Sequence, residues 1–262
     1  MTTTLEPELA SAVPGAATRR LRWWKEAVFV AVFYLAYSVV RDIRGSQPVS
    51  TIQAFHNAGR VIRVEQVFGI FQEGRIQHLF LSSPGFISFW DVFYGTAHFV
   101  VTIAVLVWLF YRQPHRYSLW RNALAFTTAL ALVGFAFFPL MPPRLLPGHY
   151  DFVDTLKTIG GLWSFDSGPV TKLSNQYAAM PSLHFAWSSW CAFVILPALK
   201  RRSAKILVVA YPLATLFCIV VTGNHYILDA VGGAVVLGVG LLLAGALARI
   251  MQTRRLPLPA RS

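Results

Sequence analysis

Long apolar runs constrain this chain more than any other feature of its sequence. Six runs are long enough to cross a bilayer as helices, which takes about 17–25 residues each. They lie at residues 26–43, 86–110, 122–139, 182–199, 204–221 and 226–248. Only 13% of the residues are charged. The sequence therefore predicts an all-α, polytopic membrane protein whose bundle of six transmembrane helices occupies residues 26–248.

Positive charge predicts which side of the membrane each loop faces. Fifteen of the 23 Lys and Arg residues fall in the two terminal segments and in two short loops. The other eight are spread over two longer loops, which also hold most of the acidic residues. The short basic loops and both termini are therefore expected in the cytoplasm. In this setting the net charge of +12 reflects topology, and no nucleic-acid partner is expected.

Three segments lie outside the predicted bundle or on its surface. Residues 1–25 lack apolar periodicity and are predicted to be a disordered, basic cytoplasmic tail, with 249–262 as a second cytoplasmic tail. Residues 45–84 are too polar to span but carry apolar side chains at helical intervals. This segment predicts amphipathic helices on the outer face, and a small capping subdomain over the bundle fits equally well.

Ionisable residues at the ends of the spans indicate a functional site, because such groups are costly in a membrane. His225 and Asp229, four residues apart where the last span begins, are expected on one helix face. Tyr94 and His98 share a face of the second span. Three prolines end the third span just before Arg144 and hold this guanidinium at the outer mouth, where it suits a phosphate.

The fourth span opens with Met180-Pro181-Ser182-Leu183-His184. We expect Pro181 at the first helical position, so that the N–H groups around Ser182 are free to bind an anion and His184 lies in the first turn. By topology Arg144, His184, His225 and Asp229 all reach the outer leaflet, although they come from three separate parts of the chain. Their convergence predicts a site for a phosphate group.

Two of these motifs resemble signatures of the type 2 phosphatidic acid phosphatase superfamily. The run 180–184 resembles its second signature, and His225 with Asp229 resembles its third; the resemblance extends over about residues 86–248. The chain departs from the typical lipid-phosphatase branch. Phe137 stands in place of a lysine, Pro143-Arg144 reverses an Arg-Pro, and Cys218-Ile219 replaces a Ser-Arg.

The Pro-Pro-Arg form, Tyr226 after the histidine and the upstream His98 look more like the branch of the inositol-phosphorylceramide synthases. That branch moves a phosphoryl headgroup between a lipid and an alcohol. The resemblance therefore implies a plasma-membrane enzyme, with its active site on the outer face, that hydrolyses a lipid-linked phosphate or transfers its headgroup to an alcohol such as inositol. The expected partners are the lipid phosphate, membrane lipids and an alcohol acceptor.

The resemblance also implies a role for each residue. His225 would form a phosphohistidine, Asp229 would orient its ring, and His184 would protonate the leaving alkoxide. The phosphate would be held by Arg144 and Ser182, with Lys172 in place of the missing lysine. Supporting positions around the site are expected from His98, Tyr94, Asn224 and Tyr177. The scheme needs no metal and no other cofactor.

Two other classes of function compete with this one. A zinc hydrolase is disfavoured because the chain has no HExxH motif and both cysteines, Cys191 and Cys218, fall within spans, where we expect them to be packing residues. A non-catalytic transporter or scaffold would bind an anion with the same polar cluster. Such a pocket does not need a carboxylate beside His225, so the His-x-x-x-Asp pair favours the enzyme. The sequence does not identify the lipid, the acceptor or the oligomeric state.

Overall fold

A computed structural model of the chain describes residues 50–159 and 176–253, together with Trp24, Glu26, Val28 and Ala31. The predictions for the N-terminal tail, most of the first span, most of the C-terminal tail and Lys172 lie outside these residues. Over the described part the prediction of an all-α protein is confirmed. Its regular structure is helical, apart from one isolated bridge between Leu140 and Ala178.

The helices are numbered here in chain order. They are α1 (Thr51–Val67), α2 (Glu73–Phe80), α3 (Pro84–Arg112), α4 (Pro114–Phe137), α5 (Thr155–Thr158), α6 (Leu183–Ile195), α7 (Arg202–Val221) and α8 (Ile227–Thr253). Short 3₁₀ turns lie at Pro143–Leu145, Gly148–Tyr150 and Leu196–Ala198. The chain between α4 and α6 is therefore partly helical, where the sequence suggested a loop.

Four helices, α3, α4, α7 and α8, are long and apolar enough to cross a membrane. The chain is thus a membrane protein, but the described residues supply four candidate spans and not the predicted six. One of the remaining two predicted spans falls largely outside the described residues. The other, at 182–199, is a shorter apolar segment, Leu183–Ala198, whose α-helix ends at Ile195. Pro197 lacks an N–H and cannot continue that helix.

Pro114 and Pro212 each belong to a long helix that continues past the proline. The segment 111–121, predicted to be a loop, is helical except at Gln113. Pro114 opens α4, since the first N–H of a helix needs no partner. Pro212 lies inside α7 and does not end it. The two long helices α3 and α4 therefore follow each other with almost no connection between them.

The bundle packs around α8, which lies most closely against α4. Its core includes the fully buried side chains of Leu109 and Trp190, with Leu237 contributed by α8. A Cβ atom at Gly233 would collide with the carbonyl oxygen of Ser182. The missing side chain lets α8 approach the start of α6 closely, as small residues do in membrane helix packing.

Within the predicted segment 45–84, the described residues 50–83 contain the helices α1 and α2, which lie at the end of the bundle where α4 and α7 end and α6 and α8 begin. Apolar side chains of α1 are buried against the loop after α4 and against Tyr226. Other side chains of the segment are exposed, among them Ile52, Val67 and Phe68. Both helices have buried and exposed side chains, and together they cap this end of the bundle.

Candidate active site

His225 lies in the turn between α7 and α8, two residues before α8 begins at Ile227. The expectation that the last span begins at His225, with both residues of the pair on one helix face, is therefore wrong in detail. Asp229 reaches back out of the helix, and its Oδ2 accepts a hydrogen bond from the N–H of Tyr226 at 3.0 Å. The carboxylate still meets the histidine, but across a turn rather than along a helix.

The hydrogen bonds of His225 fix which ring nitrogen carries the hydrogen. Nδ1 lies 2.8 Å from the carbonyl oxygen of Ala179 and 3.2 Å from Oδ2 of Asp229. Both oxygens only accept, so Nδ1 is the donor and Nε2 of the neutral ring holds the lone pair. Nε2 is buried and has no hydrogen-bond partner among the described residues. The ring is thus held through Nδ1, and Nε2 keeps its lone pair.

Ser182 links the start of α6 to α8. Its N–H donates to the carbonyl oxygen of Asp229 at 2.9 Å, and its hydroxyl accepts from the N–H of Phe185 at 3.4 Å. Ser182 is therefore the N-cap of α6, and the prediction that Pro181 takes the first helical position is wrong: the helix begins at Leu183. The Ser182 N–H is not free for a phosphate, but its hydroxyl still has a hydrogen to donate.

Arg144 is attached to the turn that precedes His225. Its backbone N–H donates to the carbonyl of Gly223 at 2.8 Å, and its Nε donates to Oδ1 of Asn224 at 2.9 Å. Nη1 contacts both carboxylate oxygens of Asp154, at 3.1 and 3.0 Å. No described residue accepts a hydrogen bond from Nη2. The protein thus holds Nε and Nη1 of this guanidinium, and Nη2 keeps its hydrogens to donate to an anion.

The turn itself requires glycine at position 223. Gly223 has φ = 66°, in the left-handed region, and an added Cβ would lie 2.9 Å from Nε2 of Gln77. Next to it, Asn224 donates from Nδ2 to the hydroxyl of Thr222 at 2.8 Å, which fixes the amide that receives Arg144. Asn224 therefore supports the site by holding the arginine.

Three aromatic rings from α3 and α6 surround the approach to His225. The ring of His184 stacks on Tyr94, with centroids 4.2 Å apart, and meets the ring of His98 at 4.1 Å. Its centroid is 5.4 Å from that of His225. Nδ1 of His98 lies 3.0 Å from the carbonyl of Tyr94 and donates to it. The structure thus brings His184, His98 and Tyr94 together with His225.

Tyr177 and Lys172 are the remaining predicted positions. The hydroxyl of Tyr177 is 3.1 Å from that of Thr51, at the start of α1. Lys172 is outside the described residues. In the described ranges 50–159 and 176–253, no three or more His, Cys, Asp or Glu side chains are grouped so as to hold a metal ion.

Sequence reasoning missed three acidic residues that contact this region. Asp154 binds Arg144. Glu65 and Glu73 accept hydrogen bonds from the first backbone N–H groups of α8. A signal for Glu65 was present, because it continues the stripe of buried positions 54, 58, 61 and 62 along α1. A carboxylate in an apolar stripe indicates a buried polar contact.

Comparison with known proteins identifies the family to which this chain belongs. A family model described as the PAP2 superfamily matches residues 59–243, more than half of the chain. The protein therefore belongs to the type 2 phosphatidic acid phosphatase (PAP2) superfamily, whose members are generally phosphatases. No curated protein and no solved structure matches the chain. The matched range contains Arg144, His184, His225 and Asp229, and it supports a lipid phosphatase-type function in the membrane.

Proposed function

We propose that this protein cleaves the phosphoester of a membrane lipid through a phosphohistidine on Nε2 of His225. One observation carries the proposal: Ala179 and Asp229 hold the Nδ1 hydrogen, while Nε2 keeps its lone pair, buried and without a partner among the described residues. A structural histidine normally uses both nitrogens when it is buried. An imidazole held in this way is prepared for attack on phosphorus.

In the first step Nε2 attacks phosphorus as the bond from phosphorus to the leaving alcohol oxygen breaks. The carboxylate of Asp229 stabilises the positive charge that develops on the ring. His184, in its protonated form, gives its proton to the leaving alkoxide. In the second step the oxygen of water or of an alcohol attacks phosphorus and loses its proton to His184. The phosphorus–nitrogen bond then breaks, and His225 returns to its neutral form.

Arg144 is the proposed phosphate ligand. Its position beside Asn224 supports this role, because the guanidinium is tied to the residue that precedes the nucleophile. Ser182 contributes its hydroxyl hydrogen, and Lys172 is proposed as a second cation. A phosphate that binds here takes the free edge of the guanidinium and competes with Asp154 for Nη1.

The proposed acceptor is water or an alcohol, and the resemblance to the inositol-phosphorylceramide synthases makes inositol the first alcohol to test. The support lies in the sequence, which lacks the lysine and the Ser-Arg pair of the typical lipid-phosphatase branch and carries His98 and a Pro-Pro-Arg. His98 contacts the proposed general acid His184. We further propose a single catalytic domain at 26–248 in the plasma membrane, with both termini in the cytoplasm and the site on the outer face, as the distribution of Lys and Arg predicts.

The experiment is product analysis with purified protein in lipid micelles that contain EDTA. A panel of lipid phosphates is tested with and without inositol or glycerol, using His225→Ala and the exposed-histidine control His56→Ala. Products that form only with an added alcohol support the transferase, and release into water alone supports a phosphatase. Turnover by His225→Ala contradicts the mechanism. Lipid binding without any turnover would favour a non-catalytic anion-binding protein.

A further inference from the structure

Two glutamates from the capping helices are buried against the start of α8, and the reaction scheme uses neither. Glu65 and Glu73 are fully buried. Oε1 of Glu65 accepts from the N–H of Leu228 at 2.7 Å, and Oε1 of Glu73 accepts from the N–H of Ile227 at 2.9 Å. These N–H groups belong to the first turn of the helix, where the backbone offers no acceptor.

The other carboxyl oxygen of each glutamate, Oε2, indicates the protonation state of the pair. Oε2 of Glu65 and Oε2 of Glu73 are buried, and neither receives a hydrogen bond from an N–H or O–H group of the described residues. Because the N–H groups that they bind belong to adjacent residues, Ile227 and Leu228, the two carboxyl groups lie side by side. Two ionised carboxylates in contact repel each other strongly when they are shielded from water, whereas one shared proton joins them by a hydrogen bond.

Electrostatics agree with a shared proton. Burial, followed by the neighbouring charge of Glu73, raises the pKa of Glu65 from its ordinary value of 4.5 to about 9. Burial likewise raises the pKa of Glu73. At neutral pH the pair therefore keeps at least one proton. A single negative charge at a helix N-terminus is favourable.

We propose that Glu65 and Glu73, joined by one proton, are positioning residues that fix the first turn of α8 and so the ring of His225. This rests on the proposed role of His225 as the nucleophile. The connection is short. Asp229 Oδ2 binds both the N–H of Tyr226 and Nδ1 of His225, and the next two N–H groups along the chain are held by the pair. A movement of this turn displaces the carboxylate and the imidazole together.

The groups around the pair explain what loss of the proton would do. Among the described residues, the titratable groups near the two glutamates are Asp229 on α8 and Tyr226 in the turn before it, and Tyr150 lies beside Tyr226. A fully ionised pair would place two negative charges next to that of Asp229. The repulsion would push the capping helices away from α8 and release the turn that carries His225.

Conservative and truncating variants separate positioning from simple stabilisation. Glu65→Gln keeps an acceptor for Leu228 and replaces the shared proton by an amide hydrogen, so kcat at neutral pH should stay within about twofold, since a neutral hydrogen bond substitutes for the original. The kcat of the wild type should fall above about pH 9, where the pair loses its proton. This fall should be absent in Glu65→Gln. Glu65→Ala should lose roughly 10- to 100-fold in kcat with little change in KM, as expected for a misplaced reacting group. Gln66→Ala, at the exposed next position of α1, is the matched control.

Infrared spectroscopy tests the proton without any activity measurement. The wild type at pH 7 should show the C=O stretch of a protonated carboxyl group, and Glu65→Gln should lack it. Absence of that band in the wild type would overturn the shared proton. An unchanged alkaline fall in Glu65→Gln, or full kcat in folded Glu65→Ala, would overturn the positioning role. Turnover by His225→Ala would instead reject the proposed nucleophile and, with it, the positioning role. The infrared band would remain in that case, because it reports only on the shared proton.

Discussion

Arg144 and Asn224 are 80 positions apart, and a hydrogen bond of 2.9 Å from Nε to Oδ1 joins them. A second bond, from the N–H of Arg144 to the carbonyl of Gly223 at 2.8 Å, reinforces the connection. The segment after α4 and the turn before α8 are thus one structural unit. The proposed phosphate ligand and the proposed nucleophile belong to that unit, so their relative position does not depend on a flexible loop.

Asn224→Ala should weaken the site by releasing one edge of the guanidinium. A hydrogen bond to a charged group contributes about 1.5–3 kcal/mol, so kcat/KM should fall by roughly 10- to 100-fold. Steady-state kinetics in lipid micelles measure the change. Asn122→Ala is the control, because its amide also accepts hydrogen bonds from an arginine, Arg121, but near the opposite end of α4. Equal losses in both variants would contradict the role of Asn224.

Asp154→Asn should tighten lipid-phosphate binding. The carboxylate forms an ion pair with Nη1 of Arg144 at 3.0 Å and competes with a phosphate for it. Asparagine keeps an oxygen for the same nitrogen but removes the competing charge, so KM should fall by about two- to tenfold, in line with the modest strength of partly exposed ion pairs. Asp151→Asn, at an exposed acidic residue three positions earlier, should leave KM unchanged. A rise in KM for Asp154→Asn would mean that the carboxylate orients the arginine.

Gly233→Ala should destabilise the fold. Its Cβ would collide with the carbonyl of Ser182, the residue that joins α6 to Asp229. Overpacking of this kind costs about 1–3 kcal/mol, so Tm in detergent should fall. Gly238→Ala on the same helix meets nothing within 4 Å and should leave Tm unchanged. Equal Tm values for the two variants would contradict the close packing of α8 against α6.

Stability should depend on pH through Glu65. Its pKa in the folded protein is raised to about 9 from an ordinary 4.5, so the folded state holds the proton more tightly than the unfolded state does. The stabilisation is complete below about 4.5 and is lost as pH rises through about 9. Tm of the wild type should therefore decrease over this window, and Glu65→Gln should flatten the decrease. Asp151→Asn, which removes an exposed carboxylate, should keep the slope of the wild type.

The sequence predicted the membrane class and the cluster around His225 because both follow from strong local signals. Long apolar runs identify helices, and His225, Asp229, His184 and Arg144 lie at the ends of those runs. Topology alone then brings them to one end of the bundle. The sequence predicts helix boundaries less well near prolines. Pro114 falls in a segment predicted to be a loop, yet it begins a helix, and Pro212 lies within a helix without ending it.

Contacts between segments far apart in sequence were beyond prediction. Glu65 binds the N–H of Leu228 across 163 positions, and nothing near either residue indicates the other. The sequence around Asp154 does not indicate its pairing with Arg144 either, because that pairing depends on how the chain folds after α4. Ser182 combines a local and a distant contact. Its role as a helix cap involves only neighbouring residues, whereas its N–H donates to the carbonyl of Asp229, a residue of another helix.

The central claim is that Nε2 of His225 carries the phosphoryl group, and trapping of that intermediate tests it most directly. Purified protein is mixed with a lipid substrate labelled at phosphorus and quenched in base, where phosphohistidine survives. Mass spectrometry of the peptides then locates the label. The account predicts phosphate on His225, none in His225→Ala, and a normal level in His56→Ala. Steady turnover with no label at His225, or a label on another residue, would contradict it.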